Sequence, residues 1–551
     1  MNDNRIYADV PAPASPGAPQ NTQPPVYPVS APAEPYRFTP PKPREAVPAV
    51  PLDGGIALAC YAAGWCFLRL VWPGYLGLGM LLFTAAFAGM ALFYRHGAGQ
   101  PVPRGSYGWL LMMLLSAGSF VVLDNGLLSW LNLLFLMVAA VYWVAALFGT
   151  RMEGQLGERL GVDLANHLFV VPFQNFGCFA AVLRSTLSRT RLGKNVGIGL
   201  LSLLCSFPLL WFVCRELSAV TAGFGVALEQ LGQLVSIRSI FSATTLLAVP
   251  TACYLFGLLY GCRRRRYTGT FTQEGLEGAA RRRRVLPPVA AYTLLTVLCL
   301  IYVLFFVIGA AELVSLPHGG EMTPYDYSQF ARKGFFELCR VSVVNLLVLW
   351  ALRLFLNNDS QRSTAATRIF HSLLCCQTLL LIALALCKMG LYIRFCGITW
   401  LRVCTTWFML LLAVVFGLSL LAQFRPIPLA RWTAAAFCVL FLLLCWLDVD
   451  GLVVKNAVWR YRQLGDAGAI SYGALVEHSV AGAPALYQLW REEKETPDSP
   501  VLPVLEELLK TAARFADGGV GNSLGHFNLQ RARAGRLCQD FLSQLPPERL
   551  W

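Results

Sequence analysis

The chain has 551 residues, 56% hydrophobic and 14% charged, with a formal net charge of +14 and a mean hydropathy of +0.54. Soluble domains carry about 25% charged residues, so this composition excludes an ordinary water-soluble protein. The surplus positive charge is mostly arginine in short connections, which fits membrane orientation and anionic lipid; a nucleic-acid partner would need a basic, aromatic-studded soluble face, and none is present.

Residues 1–53 form a proline-rich segment, with Pro11, Pro13, Pro16, Pro19, Pro24, Pro25 and Pro28 among Ala, Gln, Ser and Asn. This composition predicts a disordered, polyproline-leaning tail. It lacks the charged-then-apolar pattern of a signal peptide, so the first hydrophobic segment is expected to direct insertion. The spacings Pro16 to Pro19 and Pro25 to Pro28 fit a partner groove; a solvated tether is the plainer reading.

Apolar runs then predict about eleven transmembrane helices, within a range of ten to twelve, each long enough to cross roughly 30 Å of hydrocarbon. They cover 54–72, 75–94, 107–123, 127–148, 196–213, 239–260, 289–314, 334–356, 369–387, 403–421 and 429–447. No period-2 alternation marks them as barrel strands, so the expected fold is an all-α integral membrane protein. Lys and Arg concentrate in alternate connections, which places the N-terminus in the cytoplasm and, with an odd number of spans, the C-terminus outside.

Between the fourth and fifth spans, residues 163–192 mix Leu168, Phe169, Phe173, Phe176 and Phe179 with Gln174, Asn175, Arg184 and Arg189. This predicts an interfacial helix interrupted by Pro172, with a re-entrant segment as the alternative. The loop 262–287 carries Arg263, Arg264, Arg265, Arg266, Arg281, Arg282, Arg283 and Arg284. These fix topology and bind anionic headgroups; docking of a cytosolic regulator is the second reading.

The transmembrane domain is thus expected over 54–447, followed by a soluble helical module over 448–551. In it, residues 484–493, 504–515 and 532–545 each show a helical pattern. The Gly518, Gly519 and Gly521 cluster is a connection and not a phosphate loop, because no strand precedes it.

Cysteine and histidine offer no metal or disulfide framework. Cys60, Cys66, Cys205, Cys253, Cys299, Cys375, Cys376, Cys438 and Cys445 lie in apolar runs, where cysteine behaves as a small hydrophobe, and the six histidines are scattered. No catalytic residue, cofactor or metal ligand is assigned.

Polar residues inside or beside spans are costly in lipid and mark candidate sites. Glu337 and Arg340 lie three apart on one helix, with Asn345 deeper; Lys388, Tyr392 and Arg402 surround a cationic, aromatic turn between two spans. These six are expected to line an outward-facing polar pocket capped by the C-terminal module. The structural alternative is that Glu337 and Arg340 neutralise each other, while Lys388, Arg394 and Arg402 reach to headgroups.

The same segments carry a family resemblance. Ala331-Arg332-Lys333-Gly334-Phe335-Phe336-Glu337-Leu338 is similar to an Ala-Arg-Arg-Gly-Phe-Phe-Glu-Leu stretch of a bacterial multi-pass membrane family known as domain of unknown function 4173, related to 4153. Lys388-Met389-Gly390-Leu391-Tyr392, Cys396-Gly397-Ile398-Thr399 and Leu401-Arg402 resemble its later pattern. Asp448-Val449-Asp450 stands where the family has Asn-Pro-Asp, and Asn456 and Arg460 where it has Asn-x-x-Arg, one residue longer here. The resemblance covers roughly 196–489 and implies a bacterial membrane protein with no assigned substrate.

Three functions are compatible with this layout. A non-enzymatic sensor or assembly protein would use the module outside, with the proline-rich tail and the module as protein-binding elements. A permease would use buried polar residues and helices broken near Pro208 or Pro250. An intramembrane enzyme would have to draw on Glu312, Glu337, Asp448 and Asp450.

Overall fold

A computed structural model describes residues 47–70, 76–124, 126–152, 159–189, 243–271, 284–315, 324–356, 361–496, 499–517 and 524–546, with isolated positions between 275 and 282. The proline-rich tail up to residue 46, the predicted span 196–213, Arg281, Arg283 and the Gly518 to Gly521 cluster lie outside the described residues.

Ten helices among the described residues are long and apolar enough to cross a membrane. They are α1 (Pro51–Leu70), α2 (Leu78–His96), α3 (Arg104–Val122) and α4 (Gly126–Phe148), then α7 (Ala243–Arg264) after the bent pair described next. The series continues with α8 (Pro288–Ser315), α9 (Pro324–Phe355), α10 (Gln361–Cys396), α11 (Trp400–Phe424) and α12 (Leu429–Trp446). The chain is a multi-pass helical membrane protein. Its outer faces explain why: Leu294, Leu300, Leu304 and Val307 of α8 are all exposed. An apolar surface of that extent is untenable in water and ordinary in lipid.

The segment predicted as an interfacial helix interrupted by Pro172, with a re-entrant segment as the alternative, is helical and interrupted at another place. It forms α5 (Leu160–Gln174) and α6 (Cys178–Arg189), and the pair bends by 47°. The break falls at residues 175–177 and not at Pro172, because proline at the first turn of a helical piece forfeits no hydrogen bond. A π-helical stretch, Asn166–Val170, lies within α5. Asp163, Asn166 and His167 of α5 are buried, as is Asn175 at the break, so this pair packs into the bundle. If the pair is one span, the total is eleven.

Close backbone approach holds that pair against α7. A β-carbon on Gly257 would sit 2.5 Å from the Pro172 carbonyl oxygen, and one on Gly261 2.5 Å from Asn175 Nδ2. Glycines four apart share a helix face and let two backbones touch, which is how helices associate where no hydrophobic drive separates them from lipid. Helices α1 to α7 share one core centred on Tyr94, Trp143, Phe256 and Tyr260. Helices α8 to α11 share another around Phe335, Leu374, Met409 and Phe416. Helix α12 joins α4 and α11 through Phe135, Trp407, Phe437 and Phe441.

Beyond α12 come α13 (Val449–Leu464), α14 (Ser479–Glu493), α15 (Leu502–Asp517) and α16 (Leu529–Gln544). They bury Val454, Leu486, Trp490, Leu505, Leu508, Leu509 and Phe541 among themselves. Helix α15 supplies a continuous stripe because Leu505, Leu508, Leu509 and Ala512 recur at helical spacing.

The span ends fall on two faces. Asp53 meets Arg264, and Gly64 meets Ala248 and Ala252, so α1 and α7 run antiparallel. The face holding Asp53 and Arg264 is the arginine-rich one. The opposite face holds Val122, Cys396, Trp400 and Trp446, and with them α13 to α16.

Candidate functional site

The turn from Cys396 to Trp400 is the best organised of the predicted site segments. Gly397 has φ +80°, the left-handed conformation that ends helices and favours glycine. Arg402 donates to the Cys396 carbonyl at 2.8 Å and also to the Gly397 carbonyl, capping the last carbonyls of α10. Its guanidinium lies 4.0 Å from the centroid of the Tyr392 ring, a cation–π geometry. Helix α13 locks this turn from the other side: Ile398 N donates to Asn456 Oδ1 at 2.8 Å, and Arg460 donates to the Phe395 carbonyl at 2.8 Å while pairing with Asp466 at 2.7 Å. Two segments recognised separately in sequence, 388–402 and 456–460, are the two halves of one joint.

The six predicted pocket residues occupy three places. Arg402 and Tyr392 form the joint, and Lys388 is half-buried one turn before Tyr392. Asn345 is fully buried in the interior, accepting from the Tyr302 hydroxyl at 2.6 Å and donating to Thr378 Oγ1 at 2.9 Å, which ties α8, α9 and α10 together. Glu337 and Arg340 are exposed on α9, and no ion pair joins them.

Next to the joint, the C-terminal helices are fastened to the span ends by polar contacts that sequence reasoning missed. Asp448 caps α13 by accepting from Gly451 N at 3.0 Å, and accepts again from Gln530 Nε2 at 2.9 Å. Asn528 caps α16 through Arg531 N while its Nδ2 donates to the carbonyls of Phe120 and Leu123, both at 2.9 Å. Arg531 pairs with Asp124 at 2.6 Å, and Leu78 N donates to the Phe527 carbonyl at 2.9 Å.

Between these fastenings lie open grooves. One is lined by Asp124, Trp400, Glu477, His478, Phe515 and Arg531, and a second by Gly397, Asn456, Arg460, Asp466 and His478. His478 borders both. Its Nδ1 is 2.8 Å from Asp450 Oδ1, and the two side chains are largely buried. A carboxylate on Nδ1 fixes the ring and leaves Nε2 for a ligand or proton. Among the described residues no three His, Cys, Asp or Glu side chains converge as metal ligands. Asp450 was visible as a carboxylate following the last span, but nothing local to His478, 28 residues on, pointed to it.

The opposite face carries a second network, also missed. Asp53 has no exposure, and accepts from the Tyr94 hydroxyl at 2.7 Å and from Arg264 at 2.7 Å, with Arg263 at 3.5 Å. Arg263 also stacks 4.2 Å from the Tyr94 ring. Two of the eight arginines read as headgroup ligands, Arg263 and Arg264, are therefore turned toward a buried carboxylate. Arg265, Arg282 and Arg284 are exposed. The sequence signal for Asp53 was its position one residue before the first predicted apolar run, at a span end where an acid needs a partner.

A model of the family described as Domain of unknown function (DUF4153) matches residues 110–489. That stretch runs from within α3 to within α14, so it takes in the joint, Asn345 and the His478–Asp450 pair but not α15 or α16. No curated protein and no solved structure matches the chain.

Proposed function

The chain belongs to the DUF4153 family of unknown function, and from the geometry of its span-end junction we propose that it is a non-enzymatic sensor or assembly protein of the bacterial cytoplasmic membrane. The N-terminus is in the cytoplasm, and α13 to α16 form a module on the outer side. The orientation follows from the arginines: Arg95, Arg104, Arg151, Arg159, Arg263 to Arg266, Arg353, Arg368, Arg425 and Arg431 flank span ends on one face, the retained-charge pattern of a cytoplasmic side. Anionic headgroups meet that face. Protein partners are expected at the proline-rich tail and at the module.

One observation carries this reading. His478, held by Asp450 at 2.8 Å, borders two open grooves where the module meets the span ends. Occupancy there bears directly on the contacts that fasten the module, which is what a ligand-reading or partner-reading device requires. The experiment has two parts in a cysteine-depleted background. An impermeant maleimide on intact cells labels Ser543→Cys in α16 and leaves Gln100→Cys between α2 and α3 unlabelled; the reverse pattern defeats the orientation. A photo-crosslinking residue at Glu477 then captures a discrete partner in whole cells, and loss of that product on His478→Ala ties capture to the groove. Identical products with and without His478 would defeat the sensing role.

A permease-like role is the second reading, favoured by the bent pair α5 and α6. Buried polar side chains beside a broken helix are the usual substrate-site arrangement of transporters. The break stands at 175–177, while α7 runs through Pro250 as a continuous helix. Solute flux in proteoliposomes that disappears on His167→Ala would favour this reading over the first.

A further inference from the structure

A third groove, of about 660 Å³, separates α13, α14 and α16 from the end of α3. Its floor includes Val122, the last residue of α3, Leu123 just beyond it, and Asp448, two residues past the end of α12. In a membrane protein that level is the boundary between acyl chains and headgroups. Its walls carry Lys455, Arg462 and Arg533 against one carboxylate, Asp448. Asp448 is committed to Gly451 N and Gln530, and Arg462 is paired with Glu492 at 2.7 Å. Lys455 and Arg533 are exposed and supply the uncompensated charge.

The α13 side of the groove has a clear pattern. Lys455, Trp459 and Arg462 follow one another at spacings of four and three, so they share a helix face. Trp459 is 53% exposed. A tryptophan at an interface, flanked by cations, is the arrangement that anchors a protein at the headgroup level.

We infer that this groove holds the phosphate of an anionic phospholipid, with Lys455 and Arg533 on the phosphate and Trp459, Val122 and Leu123 against the upper acyl chain. The volume suits a headgroup, since small-molecule sites span roughly 300–1,000 Å³. The inference rests on the membrane reading alone and not on which face is outside, because it uses only span ends and charge. It is independent of the grooves bordered by His478.

The test uses the full chain in neutral detergent, with phosphatidylglycerol and phosphatidylcholine supplied together and retained lipid counted by native mass spectrometry. Wild-type protein retains phosphatidylglycerol in preference. Lys455→Gln with Arg533→Gln lowers that preference by roughly tenfold to thirtyfold, as expected for two cations near a lipid surface. The pair Lys455→Arg with Arg533→Lys retains it, and Arg491→Gln with Arg536→Gln, exposed on α14 and α16 away from the groove lining, leaves it unchanged. Both target positions are exposed, so folding is preserved, and an unchanged melting curve verifies this. Preference retained in the first double variant, or lost equally in the Arg491 and Arg536 pair, overturns the inference. So does a result in which inorganic phosphate alone stabilises wild type through these residues while phosphatidylglycerol adds nothing, since the groove would then read a free anion and not a lipid.

Discussion

Asp53 and Arg264 meet at 2.7 Å although 211 residues separate them. The pair closes the arginine-rich end of the first helical group, because Asp53 also holds Tyr94 and Arg263. Removing one partner of a buried charge network leaves the others unsatisfied. Asp53→Asn is expected to cost about 2–3 kcal/mol of stability, toward the lower end for such pairs because Arg264 is partly exposed. Thermal unfolding of the purified protein measures it, and a melting temperature equal to wild type would show that the arginines are satisfied by solvent.

Gly257 and Gly261 differ in what crowds them. The first faces the Pro172 backbone, which cannot yield, and the second faces the side chains of Asn175 and Val171. Gly257→Ala is therefore expected to destabilise by about 1–3 kcal/mol, and Gly261→Ala by less. Gly417→Ala serves as the control, since nothing lies within 4 Å of its β-carbon position. Equal melting temperatures for Gly257→Ala and Gly417→Ala would refute the close approach of α5 and α7.

Gly397→Ala strains the joint twice over, through its positive φ and through a β-carbon 3.0 Å from Asn456 Oδ1. Its counterpart Asn456→Ala leaves the Ile398 amide without its acceptor, at a cost of about 1–3 kcal/mol if it stays dry. Both changes are expected to speed proteolysis of α13 to α16 relative to wild type. Glu337→Ala and Arg340→Ala, on the exposed side of α9, are expected to alter stability by less than about 0.5 kcal/mol. A proteolysis rate indistinguishable from wild type in both joint variants would show that the module is held elsewhere.

Tyr487 donates to the Asp540 carboxylate, which with burial raises its hydroxyl above the ordinary tyrosine range. The folded state thus keeps its proton at a pH where the unfolded state, with a pKa of about 10, has lost it. The resulting stability is complete below about pH 10 and disappears as pH rises through the higher folded value. Loss of near-ultraviolet circular dichroism between neutral pH and pH 11 should be shallower for Tyr487→Phe than for wild type. A steeper loss in the variant would contradict this sign.

How much of this was legible in the chain depends on the range over which each feature acts. Span positions were readable because hydropathy is local: α2, α4, α8 and α12 lie within a few residues of the predicted runs. Helices α9 and α10 run about ten residues further at one or both ends, where amphipathic turns continue past the hydrocarbon-length window. The joint was half legible, since the residues of both its segments stood out, but no pattern in either announced that Asn456 would accept from Ile398. Glu337 and Arg340 are three apart on α9 and both exposed, and their spacing alone carried no mark of whether that face looks inward or outward. Asp53 was lost at the edge of a proline-rich segment whose composition masked the start of α1. The spacing of Gly257 and Gly261 was a readable sign of close packing and went unused.

The two carbonyls at the end of α3 are satisfied by Asn528, 408 residues further along the chain from Phe120. During synthesis at roughly 5–20 residues per second, that donor emerges about 20–80 s after α3. The early helices therefore enter the bilayer with an unfinished end and wait for the last helix to complete it. A chain that stops before Asn528 leaves the end of its third helix without this donor, so a cut late in the sequence is felt at an early span.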